Sequence, residues 1–180
     1  MSERQPEFGL QTERLDIRRL TLEDADLMLS VWNDPAFVKH VGDRGIRTLE
    51  EARATLVDGA FQMYENHGYG PFRVAIREND QALGTCGLFR REGVEDPDIG
   101  WGILPEYCGK GFAYEAACAV RDFGFKEVGL TRLVAFISAE NVPSIGLAKK
   151  LGLRYERMTR LVGDDEDVCL YSMAHDREAI

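Results

Sequence analysis

A mixed α/β sheet flanked by helices is the fold class that this sequence predicts, and three observations carry it. Helical periodicity dominates from Thr21 to about Asn66. Short alternating or apolar runs dominate afterwards and end in a hairpin. A strand, a glycine turn and a helix form one crossover between Asp98 and about Val128. At 180 residues the chain is expected to be one domain, 1–180, with a sizeable core. Residues 1–10 are polar and expected to be loose or pinned late.

Each element has a local reason. Glu13 to Leu20 alternates Leu15 and Ile17 before Leu20 and reads as a first strand. Thr21 is an N-cap residue before Leu27, Met28, Val31 and Trp32, the apolar face of a first helix. Asp34-Pro35 ends it and opens a short helical turn to His40. Thr48-Leu49-Glu50-Glu51 has capping-box spacing and starts a longer helix to about Asn66. Gly68-Tyr69-Gly70-Pro71 breaks the chain. Phe72 to Arg77 and Ala82 to Arg90 flank Glu78-Asn79-Asp80 as a hairpin. Asp98 to Leu104, bounded by Pro97 and Pro105, reads as a buried central strand. Arg132 to Ser138 is another strand, followed by a short helix at Pro143. Tyr155 to Val162 and Val168 to Ala174 flank the turn Gly163 to Glu166.

Composition limits the function. A hydrophobic fraction of 44% and a charged fraction of 29% are ordinary for a globular protein. A net charge of −9 argues against a general nucleic-acid binder and towards cationic or neutral partners. Cys86, Cys108, Cys118 and Cys169 form no Cys-x-x-Cys pair and no signal peptide is seen, which reads as reduced thiols in a cytoplasmic protein. No apolar run approaches the ~20 residues of a membrane span. His40, His67 and His175 share no ligand spacing, so no metal is expected.

The crossover carries the chemistry. Gly109 and Gly111 lie between the central strand and a helix bearing Ala113, Ala116, Ala117 and Val120. Unpaired N–H groups and the helix dipole make such a turn a site for a phosphate-like anion, and glycine lets the anion approach the main chain. A Walker loop needs Lys-Ser or Lys-Thr after its last glycine, but Lys110 lies between the glycines and Phe112 follows. A dinucleotide fingerprint needs a third glycine where Tyr114 stands. Glu106-Tyr107-Cys108-Gly109-Lys110-Gly111 resembles motif A of the GNAT N-acetyltransferase superfamily, Gln/Arg-x-x-Gly-x-Gly/Ala, with Glu106 departing from the first position. Asn141-Val142-Pro143-Ser144, continuing to Lys150-Leu151-Gly152-Leu153, resembles motif B of the Rim-type branch, with Leu153 where Phe is commoner. That branch acetylates protein N-termini and diverse small amines.

The resemblance implies a mostly antiparallel central sheet whose two central strands splay to admit a pantetheine arm. It implies acetyl-coenzyme A as co-substrate. Its pyrophosphate would lie on the amides of Cys108, Gly109, Lys110, Gly111, Phe112 and Ala113. Ile103 and Leu104 N–H groups would polarise the thioester carbonyl, and Asn141 and Ser144 would lie beside the sulfur. Many relatives carry a tyrosine acid where this chain has Ala148, so Ser144 is the replacement candidate for stabilising the thiolate. Asp98 is the best-placed carboxylate for a base by strand order.

The acceptor would be a small-molecule amine or a protein N-terminus, with no nucleic acid and no membrane involved; a homodimer stays open. The acidic runs Glu92, Glu95, Asp96, Asp98 and Asp164 to Asp167 read as solvated loops, or as a negative rim attracting a cationic amine. Cys108 beside the turn invites a nucleophile reading, but no base is paired with it. Trp32 and Trp101 read as core or pocket wall. Two other classes remain: a non-catalytic acyl-coenzyme A sensor, and a nucleotide-binding module on the Gly109 loop.

Overall fold

The structure, a computed structural model, describes residues 8–175. Its strands are β1 (Gly9–Gln11), β2 (Leu15–Arg19), β3 (Pro71–Ile76), β4 (Ala82–Phe89), β5 (Asp98–Ile103), β6 (Arg132–Ile137), β7 (Arg154–Thr159) and β8 (Val168–Ala174). They form one sheet in the order β1-β2-β3-β4-β5-β6-β8-β7. Every pairing is antiparallel except β5 with β6. Those two run parallel and meet at one register pair, Asp98↔Val134. Beyond it they diverge, so the mostly antiparallel, splayed sheet is what the structure contains.

The helices are α1 (Ala25–Trp32), α2 (Pro35–His40), α3 (Leu49–Thr55), α4 (Gln62–His67), α5 (Phe112–Lys126) and α6 (Val142–Leu151). Local signals start several of them. Thr48 Oγ1 accepts from Glu51 N–H (3.2 Å) and Glu51 Oε2 accepts from Thr48 N–H (2.9 Å), a complete capping box on α3. Asp34 Oδ2 accepts from Ala36 and Phe37 N–H, both at 3.0 Å, and fixes α2. Thr21 instead donates its N–H and hydroxyl to Asp24, so a 3₁₀ turn, Leu22–Asp24, precedes α1.

Packing on the two sheet faces is legible from two glycines. A Cβ on Gly102 would lie 3.1 Å from Val31 of α1 and 3.7 Å from Thr85 Oγ1. A Cβ on Gly124 of α5 would lie 3.2 Å from Leu88. Thr85 and Leu88 have opposite parity on β4, so α1 and α5 cover opposite faces. Phe72, Val74, Leu83 and Leu88 are fully buried between them.

Three expectations need correction. Residues 9–10 are paired in β1 against β2, while residues 1–7 lie outside the described residues. Phe8 stacks on Phe72 with ring centroids 4.5 Å apart, a contact with a distant strand that local polarity does not reveal. The longer helix expected to about Asn66 runs to His67 but contains a π-helical turn, Leu56–Phe61, where Gly59 weakens the α ladder. The Pro143 helix is ten residues long, not short, with Gly152 closing it at φ 106°.

Candidate active site

The glycine turn is held open by its own backbone. Gly109 and Gly111 have φ of 75° and 83°, left-handed values that side chains with a Cβ adopt only under strain. Gly111 O accepts from Glu115 N–H at 3.0 Å, the first bond of α5. Among the described residues no acceptor of the chain takes the N–H groups of Gly109, Lys110, Gly111, Phe112, Ala113 or Tyr114. These N–H groups and the positive end of a 15-residue helix face one opening. A Cβ on Gly109 would meet nothing within 4 Å, so the space above it is free for a ligand. The turn therefore fits a diphosphate.

Arg14 and Glu115 brace this cradle. Arg14 Nε pairs with Glu115 Oε2 at 2.7 Å, Arg14 Nη1 donates to Lys110 O at 3.1 Å, and the guanidinium lies 4.5 Å above the Phe112 ring. Thr12 Oγ1 donates to Glu115 Oε1 at 2.5 Å. Burial works against ionisation of Glu115, but the Thr12 and Arg14 hydrogen bonds outweigh it and hold its carboxyl below the usual range. Lys110 folds back, Nζ donating to Glu106 O at 2.9 Å. Arg14 has no sequence signal, because it reaches the turn from the other end of the chain.

Two cavities meet where β5 leaves β6. One, of about 620 Å³, is lined by Ile103, Leu104, Cys108, Gly109, Gly111, Phe112 and Ala113. The other, of about 330 Å³, is lined by Trp32, Arg44, Met63, Arg91, Asp98 and Phe136. His40, Trp101, Gly102, Asn141 and Ser144 line both. The β4–β5 register makes Leu104 a hydrogen-bonded partner of Leu83: Leu104 N–H donates to Leu83 O at 2.8 Å. Leu104 N–H is thus spent and does not serve as the expected donor. Alternation along an antiparallel strand turns the N–H groups of Trp101 and Ile103 the other way, into the splay.

Asn141 is the N-cap of α6, its Oδ1 accepting from Ser144 N–H at 3.3 Å. Trp101 Nε1–H donates to Ser144 Oγ at 3.2 Å. A hydroxyl has two lone pairs and one hydrogen, so this bond leaves the Ser144 hydrogen free to point into the junction. His40, the last residue of α2, has a buried Nδ1 with no hydrogen-bond partner among the described residues.

Residues 14–154 match the acetyltransferase (GNAT) domain family. The chain belongs to the GNAT acetyltransferase family. It is 33% identical over 156 residues to a protein of Bacillus licheniformis named an uncharacterized N-acetyltransferase, p20, covering 84% of this chain and 85% of that one. A GNAT-family acetyltransferase structure from Bacillus anthracis superposes with a TM-score of 0.76 at 27% identity, over 93% of this chain and 98% of that chain. A ribosomal L7/L12 α-N-protein acetyltransferase solved in complex with coenzyme A shares the fold with a TM-score of 0.78 at 17% identity, over 92% and 96% of the two chains.

In this acetyltransferase Asp98 is not the solvated loop carboxylate expected from its acidic neighbours. It is 2% exposed, and Arg91 Nε donates to its Oδ2 at 2.5 Å. It lines only the smaller cavity, and Trp101 lies three residues along β5, about 10 Å away. Burial pushes its carboxyl up to about 6 despite Arg91. The folded pKa then exceeds the unfolded value, so the Asp98 contribution to stability is full below about 4 and is lost as pH rises through about 6. Asp98→Asn is therefore expected to gain on the wild type by up to about 3 kcal/mol as pH rises from 4 to 7. Melting curves that stay parallel across that range would refute the shift.

Of the other acidic loop residues, Glu92, Glu95, Asp164, Asp165 and Glu166 are exposed, as the solvated-loop reading expects, whereas two are paired. Asp96 and Glu156 both pair with Arg132, and Asp167 pairs with Arg160 at 2.8 Å. Cys108 Sγ–H donates to Ile103 O at 3.5 Å, and burial, with the charges of Asp34 and Glu106, pushes its thiol up. That is the setting of a protonated thiol rather than a nucleophile. His67 and His175 pack on Tyr69 and Phe125, outside both cavities. Among the described residues no helix is long and apolar enough to cross a membrane.

Proposed function

We propose that this acetyltransferase moves the acetyl group of acetyl-coenzyme A directly to a primary amine, a protein N-terminus or a small amine, with both substrates bound together. The observation that carries this reading is the meeting of two cavities at Trp101, Asn141, Ser144 and His40, one of them floored by unpaired amides. The Gly109–Ala113 amides would hold the pyrophosphate, with Ile103, Leu104 and Leu147 walling the arm. The acceptor would enter from the Arg91 side.

Each residue at the junction then has a task. Trp101 and Ile103 N–H groups donate to the carbonyl oxygen as negative charge grows on it. An α-amino group has a pKa of about 7.7–8.0 and must lose one proton to attack. His40 is the titratable side chain at the junction, and its imidazole takes that proton. Asp98 is too far along β5 for this and instead fixes Arg91. As the N–C bond forms and the C–S bond breaks, the nitrogen's second proton passes to the departing sulfur, which the Ser144 hydroxyl stabilises by donating a hydrogen bond, while Asn141 holds the helix turn that carries Ser144. A regulatory acyl-coenzyme A sensor is disfavoured by the open second cavity.

The test is a melting curve with acetyl-coenzyme A, coenzyme A, ATP and NAD, beside release of free coenzyme A in the presence of an amine panel. Acetyl-coenzyme A at ~100 times its dissociation constant should stabilise the fold by about 2.7 kcal/mol. Stabilisation without turnover of any amine would favour the sensor. Stabilisation by ATP or NAD alone would favour the nucleotide module.

A further inference from the structure

The acceptor cavity has a charge opposite to that of the protein around it. The chain carries a net charge of −9, yet Arg44, Arg90 and Arg91 line this cavity, against Asp98 and Asp164. Asp98 is consumed by Arg91 Nε. Asp164 is exposed on the turn between β7 and β8. Arg90 donates to the backbone oxygen of Glu95. Arg91 spends only Nε on Asp98, so among the described residues its two terminal nitrogens have no acceptor. Among the described residues Arg44 has no hydrogen-bond or ion-pair partner, and it lies 5.7 Å from the Trp32 ring centre and 5.8 Å from that of Phe37. Arg44 is exposed on its loop yet lines the same cavity as Arg91, and partial desolvation followed by the charge of Arg91 works against its protonation, so the two guanidinium groups face the space as like charges.

Two like charges facing an aromatic-walled space, both with free forked donors, are stabilised by an anion placed between them. Building on the acetyl-transfer reading, we infer that the acceptor is an amine bearing a carboxylate several bonds from its nitrogen, held by Arg44 and Arg91. The distance decides against the carboxylate of an α-amino acid, which is only two bonds from its amine. Arg91 is tethered to Asp98, about 10 Å along β5 from the Trp101 end where the amine reacts. An acidic side chain near the start of a peptide, or the far end of an ω-amino acid, spans that gap. The polycationic acceptor suggested by the overall charge does not fit, because its remote ammonium would face Arg44 and Arg91.

The experiment compares kcat/KM at saturating acetyl-coenzyme A for four acceptors in two pairs. One pair is a C-terminally amidated tripeptide with aspartate or asparagine at its second position; the other is δ-aminovalerate and its amide. Spermidine and glycine are the controls. The acid should exceed its amide by about 10- to 100-fold in one pair or both, the value of a charged hydrogen bond made well, and the pair showing it identifies the source of the carboxylate. Arg44→Gln should collapse that ratio through KM while leaving the acetyl-coenzyme A melting shift unchanged, because Arg44 lines the acceptor cavity and not the coenzyme one. Equal acid and amide rates in both pairs, a preference for spermidine or glycine, or an undiminished ratio in Arg44→Gln would overturn the inference. Turnover of the amides alone would leave the transferase reading standing, whereas no melting shift and no turnover would remove both.

Discussion

Gly111→Val is expected to abolish acetyl-coenzyme A binding in a protein that still folds. Valine at φ 83° carries the strain of a left-handed residue, about 1–2 kcal/mol. Its Cβ would meet only the end of the Arg14 side chain, Nη2 at 3.3 Å, and a guanidinium tip can move by that amount. The cradle suffers far more. A branched side chain at the start of α5 tilts the neighbouring N–H groups, and each hydrogen bond to a charged oxygen is worth about 1.5–3 kcal/mol. Losing two of them lowers affinity at least ~100-fold. Calorimetric titration of the folded variant measures this. A plain strand-to-helix turn would give the reverse pattern, a modest loss of stability and no change in affinity.

The second large effect is expected at the junction. His40→Gln should slow acetylation of an α-amino group by about 100- to 10,000-fold, the usual contribution of general base catalysis, with acetyl-coenzyme A affinity unchanged. Transfer to hydroxylamine, which is already neutral at pH 7, should be nearly spared. A structural role for His40 predicts equal losses for both acceptors, so their ratio is the discriminating readout. Ser144→Ala should fall on kcat and kcat/KM together by ~100- to 1000-fold, because its hydroxyl is used only as the thiolate departs. An unchanged kcat in a folded Ser144→Ala protein would retire Ser144 and leave the Trp101 and Ile103 amides as the remaining stabilisers.

What the sequence discloses and what it hides follow one physical line. The glycine turn is legible because backbone conformations at positive φ need glycine, and Gly109 and Gly111 stand in that conformation between a strand and a helix. The caps on α2, α3 and α6 are legible because they act within three residues. The carriers of specificity are not local. Arg14 reaches the turn from the bend just before β2, His40 comes from α2 to a junction made by β5 and α6, and Arg44 belongs to a loop with no pattern of its own. Asp98 looks like one of a solvated acidic run until Arg91, seven residues away, folds over it. The loss of Leu104 as a donor depends on strand parity, which one residue of register reverses.

The single β5–β6 register pair also has a mechanical side. Six pairs join β4 to β5 and six join β6 to β8, so the sheet is two stiff leaves stitched at Asp98↔Val134. Bending concentrates at that stitch, where opening the leaves strains few main-chain bonds, while α5 joins them on one face as a spine. An extended molecule lying in the gap and bonding to the Trp101 and Ile103 amides would serve as a ninth strand of a different polymer. Ligand occupancy and sheet continuity then become one variable, and amide exchange at Trp101 and Ile103 reads both at once.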